Sequence, residues 1–182
     1  ELSGARVAEP VLSAFLRNFP QLRQLNLDFN GLVELPSVID ELPQLTELFV
    51  NVNELRYTPV LQARLSQLNS LEVLGLRGNP LEQLDVSTMT RLRVLDLGAT
   101  ALHEWPAGVE ALSSLRRLDL ERSSITSIPP ALRSGHDALV AMTSLRGCPL
   151  TEDAFMLRQQ ILERYYGRAL TSDRSNWGTP QY

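Results

Sequence analysis

The chain has 182 residues, 43% of them apolar, a formal net charge of −4 and a pI near 5.2. That length allows one domain with a sizeable core, and the acidic balance argues against nucleic acid or an anionic membrane as the main partner. One cysteine excludes an internal disulfide, and all 17 basic residues are arginine, which removes lysine-dependent phosphate loops, Schiff bases and a lysine general base.

The sequence starts at Glu1 without a methionine, so it is expected to be an excised piece of a longer protein. Its first residues lack the basic-then-apolar pattern of a signal peptide, and no apolar run reaches transmembrane length, so membrane insertion is not expected. Residues 1–21 are expected to form a helical cap or part of a preceding unit. VAEPVLSAFLRNF from Val7 has helical periodicity, with Val11, Leu12, Phe15, Leu16 and Phe19 predicted to face the body of the protein.

From residue 22 to 150 the chain repeats itself six times as LxxLxLxxNxL. The copies are LRQLNLDFNGL, LTELFVNVNEL, LEVLGLRGNPL, LRVLDLGATAL, LRRLDLERSSI and a degenerate VAMTSLRGCPL. Starts at residues 22, 45, 71, 92, 115 and 140 leave spacings of 23, 26, 21, 23 and 25 residues, a leucine-rich repeat period. The fold class expected is an α/β solenoid, a right-handed horseshoe. A parallel sheet would line its concave face, short helices and turns its convex face, and helical caps its two ends. One unit cannot bury its leucines alone, so stacking builds the core.

The small polar residue closing each strand is Asn30, Asn53, Asn79, Thr100, Ser123 and Cys148 in turn. This column is expected inside the turn, satisfying backbone groups that leave the strand, with satisfaction loosening as asparagine gives way to Thr, Ser and Cys. Cys148 therefore reads as a small, largely buried structural residue and not as a nucleophile. Prolines after Leu35, Trp105 and Ile128 set up turns on the convex side, and TPVLQARLSQL from Thr58 predicts a convex helix with Thr58 as its cap.

Residues 151–167 predict a capping helix with Thr151 as cap, Glu152 and Asp153 in its first turn, and Gly167 as its stop. Residues 168–182 read as a tail or linker. His103 and His136 lack companions at metal-ligand spacing, and no cofactor is implied.

With no catalytic constellation, the chain is expected to be a binding module and not an enzyme. The strand residues facing out fall in columns, and these place Phe49, Val73 and Val94, with Phe29 and Val52 at the edge, in one apolar region beside Gly75 and Gly98, which are expected to leave open space. Arg77, Asp96, Arg117, Asp119 and Glu121 bring charge to the same face, with Arg122 and Arg146 toward the C-terminal end. Together these ten named apolar and charged residues, Phe29 through Glu121, are the candidate surface for a protein partner. The competing reading is a lattice of cross-strand ion pairs that satisfies itself.

LDVSTMTRLRVLDLGATALHEWPAGV from Leu84 and LRGCPLTEDAFMLRQQI from Leu145 resemble the repeat domains of bacterial, Pseudomonas-like effector proteins of the NEL-type ubiquitin ligase family. The resemblance implies a virulence-associated module that recognises a eukaryotic host protein and belongs to a larger protein secreted by a bacterium or delivered into host cytoplasm. Its catalytic domain would lie outside this chain, since Cys148 matches the ladder and not the catalytic motif. The alternative is a cytoplasmic scaffold or adaptor with no ligase attached; either is expected to be a monomer. The absence of lysine fits both a GC-rich bacterial genome and work beside ubiquitin machinery.

Overall fold

The computed structural model describes residues 1–175, with side chains through Arg168. Six strands, β1 (Gln24–Asn26), β2 (Glu47–Phe49), β3 (Val73–Gly75), β4 (Val94–Asp96), β5 (Arg117–Asp119) and β6 (Thr143–Ser144), form one parallel sheet in sequence order. Each is short because the motif leaves the strand after three residues. Leu25, Leu48, Leu74, Leu95 and Leu118 lie in register across five strands and are buried, as are Leu27, Val50, Leu76, Leu97, Leu120 and Leu145 in the next inward column. The leucines of successive units thus make one continuous core, the arrangement expected for an α/β leucine-rich repeat solenoid.

The ladder works as its chemistry requires. Asn53 Oδ1 accepts from the Asn30 and Leu32 N–H groups at 2.9 and 3.0 Å, while its Nδ2 donates to the carbonyls of Leu27, Val50 and Asn51 at 3.1, 2.9 and 3.3 Å. Asn79 likewise ties its own unit to the one before. Thr100 and Ser123 donate only to a carbonyl of their own units, Leu97 and Leu120, at 2.8 and 2.7 Å. Cys148 is half-buried, and its Sγ lies 3.0 Å from the Leu120 carbonyl. The loosening toward the C-terminal end is a loss of the amide's several bonds per ladder residue: Thr100 keeps none between units, and Ser123 and Cys148 keep only weaker contacts through sulfur.

On the convex side, α2 (Pro59–Ser66) starts at Thr58, whose hydroxyl accepts from the Leu61 N–H at 3.0 Å, and it buries Leu61 and Leu65. Three other units make 3₁₀ turns, at Ser37–Glu41, Val109–Ala111 and Pro130–Leu132, each just after a proline or glycine. Trp105 is buried there, its indole N–H donating to the Ser127 carbonyl at 3.1 Å.

Both ends differ in detail from the sequence reading. At the N-terminus the Leu2 and Gly4 N–H groups donate to the Asn26 and Asp28 carbonyls at 3.0 and 2.8 Å, as Leu27 and Phe29 donate into the next unit. Residues 1–7 thus copy the second half of a repeat, and α1 (Glu9–Leu16) is its convex helix. Of the five residues expected to face inward, only Leu12 and Leu16 are buried; Val11, Phe15 and Phe19 are exposed, because the helix meets the solenoid along one narrow stripe. At the other end α3 (Asp137–Met142) is followed by α4 (Glu152–Ser175), which packs on α3. Arg164 grips Asp137 with two hydrogen bonds of 2.7 Å. α4 does not stop at Gly167; it continues through 168–175, part of the expected tail, and residues 176–182 lie outside the described residues. A single interior glycine costs only about 1 kcal/mol and does not by itself end a long helix.

Candidate protein-interaction surface

Parallel pairing brings the outward residues of each unit side by side. Gln24, Glu47, Val73, Val94 and Arg117 form one row; Asn26, Phe49, Gly75, Asp96, Asp119 and Ser144 form the next. Neighbours in a row stand one strand apart, about 4.8 Å. Val73 and Val94 are therefore neighbours in the first row, Phe49 stands one strand away in the second, and all three are half-buried, so the sheet brings the apolar residues expected to meet onto adjacent strands.

Phe29 and Val52 sit where each strand turns away. They are 55% and 43% exposed, in the left-handed region at φ 58° and 52°. The left-handed turn recurs in every unit: the same position holds Gly4, Gly78 and Gly147 at φ 70–75°, and Ala99 and Arg122 at φ 51° and 55°. A β-branched or aromatic residue there costs of order 1–3 kcal/mol of strain that the solenoid must offset. Gly78 has a second reason to be glycine: an added Cβ would stand 3.2 Å from Val52 Cγ2.

The glycines on the concave face do not leave open space, contrary to expectation. The Asn51 amide and the Phe49 ring lie over Gly75, where a Cβ would be 2.8 and 3.0 Å from them, and the Arg77 guanidinium lies over Gly98. Neither glycine has a positive φ; each is a seat for a neighbour's side chain. Asn51 also accepts from the Arg77 N–H at 2.8 Å and donates its own N–H to Asp28 at 2.7 Å, a chain of links across three units. The sequence reading missed Asn51, whose role could only be inferred from the glycine beside it.

From Gly98 the Arg77 side chain reaches two units along. It forms ion pairs with Asp96 at 3.5 Å and Asp119 at 3.4 Å, and a hydrogen-bonded pair with Glu121. Asp96 and Asp119 also accept from backbone N–H groups two residues on, Gly98 and Glu121, at 3.0 and 2.9 Å. The Arg77 hydrogen bond holds the Glu121 carboxyl below its ordinary range and Arg77 above its own. Burial, with Asp96 and Glu121 adding like charge, pushes Asp119 up. Arg117, by contrast, is exposed and makes no ion pair among the described residues. The candidate charges thus divide: Arg77, Asp96, Asp119 and Glu121 form one ion-pair network, and Arg117 stands outside it.

No family model matches the sequence. Solved structures do match it over most of its length. A leucine-rich repeat protein of Leptospira interrogans superposes with a TM-score of 0.66 at 24% identity, covering 80% of this chain and 36% of that one. The chain has the leucine-rich repeat fold. The functional domain of InlJ from Listeria monocytogenes matches with a TM-score of 0.59 at 24% identity over 73% of this chain and 27% of that one. The leucine-rich repeat ectodomain of the receptor kinase SOBIR1 from Arabidopsis thaliana gives 0.56 at 26% identity over 71% and 72%. This leucine-rich repeat chain spans about a third of the Leptospira protein's length. No helix among the described residues is long and apolar enough to cross a membrane.

Proposed function

We propose that this chain is a protein-recognition module whose concave face, in its N-terminal half, receives a protein partner. The observation that carries the reading is apolar exposure: Phe29 and Val52, two large apolar side chains open to solvent, stand beside the cluster of Phe49, Val73 and Val94. The left-handed turn belongs to every unit, but large apolar side chains grouped in solvent on one face are the mark of a recognition surface. The Arg77 network then serves as a rigid polar border, with Arg117 free to meet a carboxylate of the partner. The resemblance of the Leu84 and Leu145 segments to bacterial effector repeat domains supports a host protein as partner and a larger, secreted or delivered effector of the ubiquitin-ligase type as parent.

Capture from eukaryotic lysate tests the reading when it is run with matched variants. Phe49→Ala and Val73→Arg should each reduce recovery of the partner that the wild-type chain retains, at unchanged thermal stability, since a central apolar anchor is worth about 2 kcal/mol or more. The convex variant Glu110→Ala should retain it fully. Equal recovery by all four proteins would remove the concave face from the function.

A further inference from the structure

Among the described residues the sheet has an open edge at its C-terminal end. In every earlier unit, two N–H groups leaving the strand donate to the next unit: Leu97 and Ala99 to Asp119 and Glu121 at 2.8 and 2.7 Å, and Leu120 and Arg122 to Ser144 and Arg146 at 2.9 and 2.8 Å. The equivalent groups of the sixth unit, Leu145 and Gly147, have no acceptor among the described residues. α4 could have covered this edge but packs on α3 instead. Between them lies a groove of about 680 Å³ lined by Leu145, Arg146, Gly147, Phe155 and Arg158 among others.

Two arginines, Arg146 and Arg158, make the groove electropositive. Arg146 is exposed and pairs with no carboxylate among the described residues; Glu121, the nearby acid that feels its charge, is hydrogen-bonded to Arg77. Arg158 keeps its Nε shielded from solvent with no hydrogen-bond partner among the described residues, which is costly for a charged donor. Glu152 also lines the groove, but it stands in the first turn of α4, where the helix N-terminus offsets its charge. Phe155, 52% exposed, supplies an apolar wall.

We propose that this edge is a second interaction site, separate from the concave face, which takes an extended acidic peptide segment of a partner protein as a seventh parallel strand. Carbonyl oxygens of the segment accept from the Leu145 and Gly147 N–H groups, a carboxylate lies between Arg146 and Arg158, and an apolar side chain rests on Phe155. Main-chain pairing supplies affinity and the two arginines supply selectivity for acid.

The test uses the 182-residue chain and a fluorescein-labelled ten-residue peptide alternating Val and Glu, read by anisotropy, with amide shifts followed by NMR. Saturable binding should move the Leu145 and Gly147 amide resonances most. Arg146→Glu and Arg158→Glu should each weaken it about ten-fold, as expected for loss of a charged hydrogen bond, while Arg91→Glu, an exposed site elsewhere with the same charge change, should leave it unchanged. The proposal is overturned by no binding at about 1 mM peptide, by equal affinity for a Val/Lys peptide, by full affinity of both reversed variants, or by shifts centred on Phe49 and Val73. Such shifts would move the acidic segment to the concave face, whose apolar cluster is judged by its own variants.

Discussion

The Arg77 guanidinium occupies the place where Gly98 would carry a Cβ, and from there it reaches Glu121 in the following unit. Because the obstacle to a side chain at Gly98 is the end of a flexible arginine and not backbone, Gly98→Ala should fold normally and displace Arg77. The Glu121 carboxyl, now held low by that arginine, should then titrate closer to the ordinary glutamate value. Side-chain carboxyl NMR on both proteins measures this directly; an unmoved Glu121 titration would mean Arg77 finds another path.

Asp119 and Glu121 should pull stability in opposite directions as the solution is acidified. Glu121, lowered in the fold, contributes stability that is present above its unfolded pKa and lost as pH falls through the folded one. Asp119, raised by burial, works the other way: its contribution is present below the unfolded pKa and lost as pH rises through the folded one. Asp119→Asn keeps an oxygen for the Glu121 N–H and removes the titration. Urea midpoints taken downward from about pH 7 should therefore shift in favour of the wild type relative to Asp119→Asn as Asp119 takes up its proton. A constant difference between the two proteins would show that Asp119 titrates normally.

Asn53 joins two repeats with five hydrogen bonds, whereas Ser123 makes its carbonyl bond within one. Asn53→Leu should cost about 2–3 kcal/mol and Ser123→Ala about 1 kcal/mol, the difference being the buried backbone groups left without partners. Denaturant unfolding of the two variants gives the comparison. Equal costs would deny the asparagine its bridging role.

Sequence periodicity was enough for the repeat, the register of its rows and the asparagine ladder, because each depends on residues that recur at fixed spacing. The apolar cluster was legible for the same reason: a residue's row follows from its place in the motif. What could not be read was side-chain reach. Gly75 and Gly98 look like empty positions in a sequence, yet Phe49, Asn51 and Arg77 come from neighbouring units to cover them. Periodicity also overstated the inward face of α1, since Phe15 and Phe19 share a helical stripe with Leu12 and Leu16 but pack edge-to-face on one another at 5.3 Å in solvent. Nor does any motif announce an open sheet edge; Leu145 and Gly147 reveal it only by having no acceptor among the described residues.

Hydroxyl-radical footprinting of the chain alone and bound to its captured partner tests the central claim most directly, because the aromatic residues report on separate faces. Phe29 and Phe49 stand on or beside the concave sheet, whereas Phe15 and Tyr166 are exposed on α1 and α4. The account predicts that the partner protects Phe29 and Phe49 from oxidation while Phe15 and Tyr166 react as in the free chain. Protection of Phe15 or Tyr166 with Phe29 and Phe49 still fully reactive would contradict it.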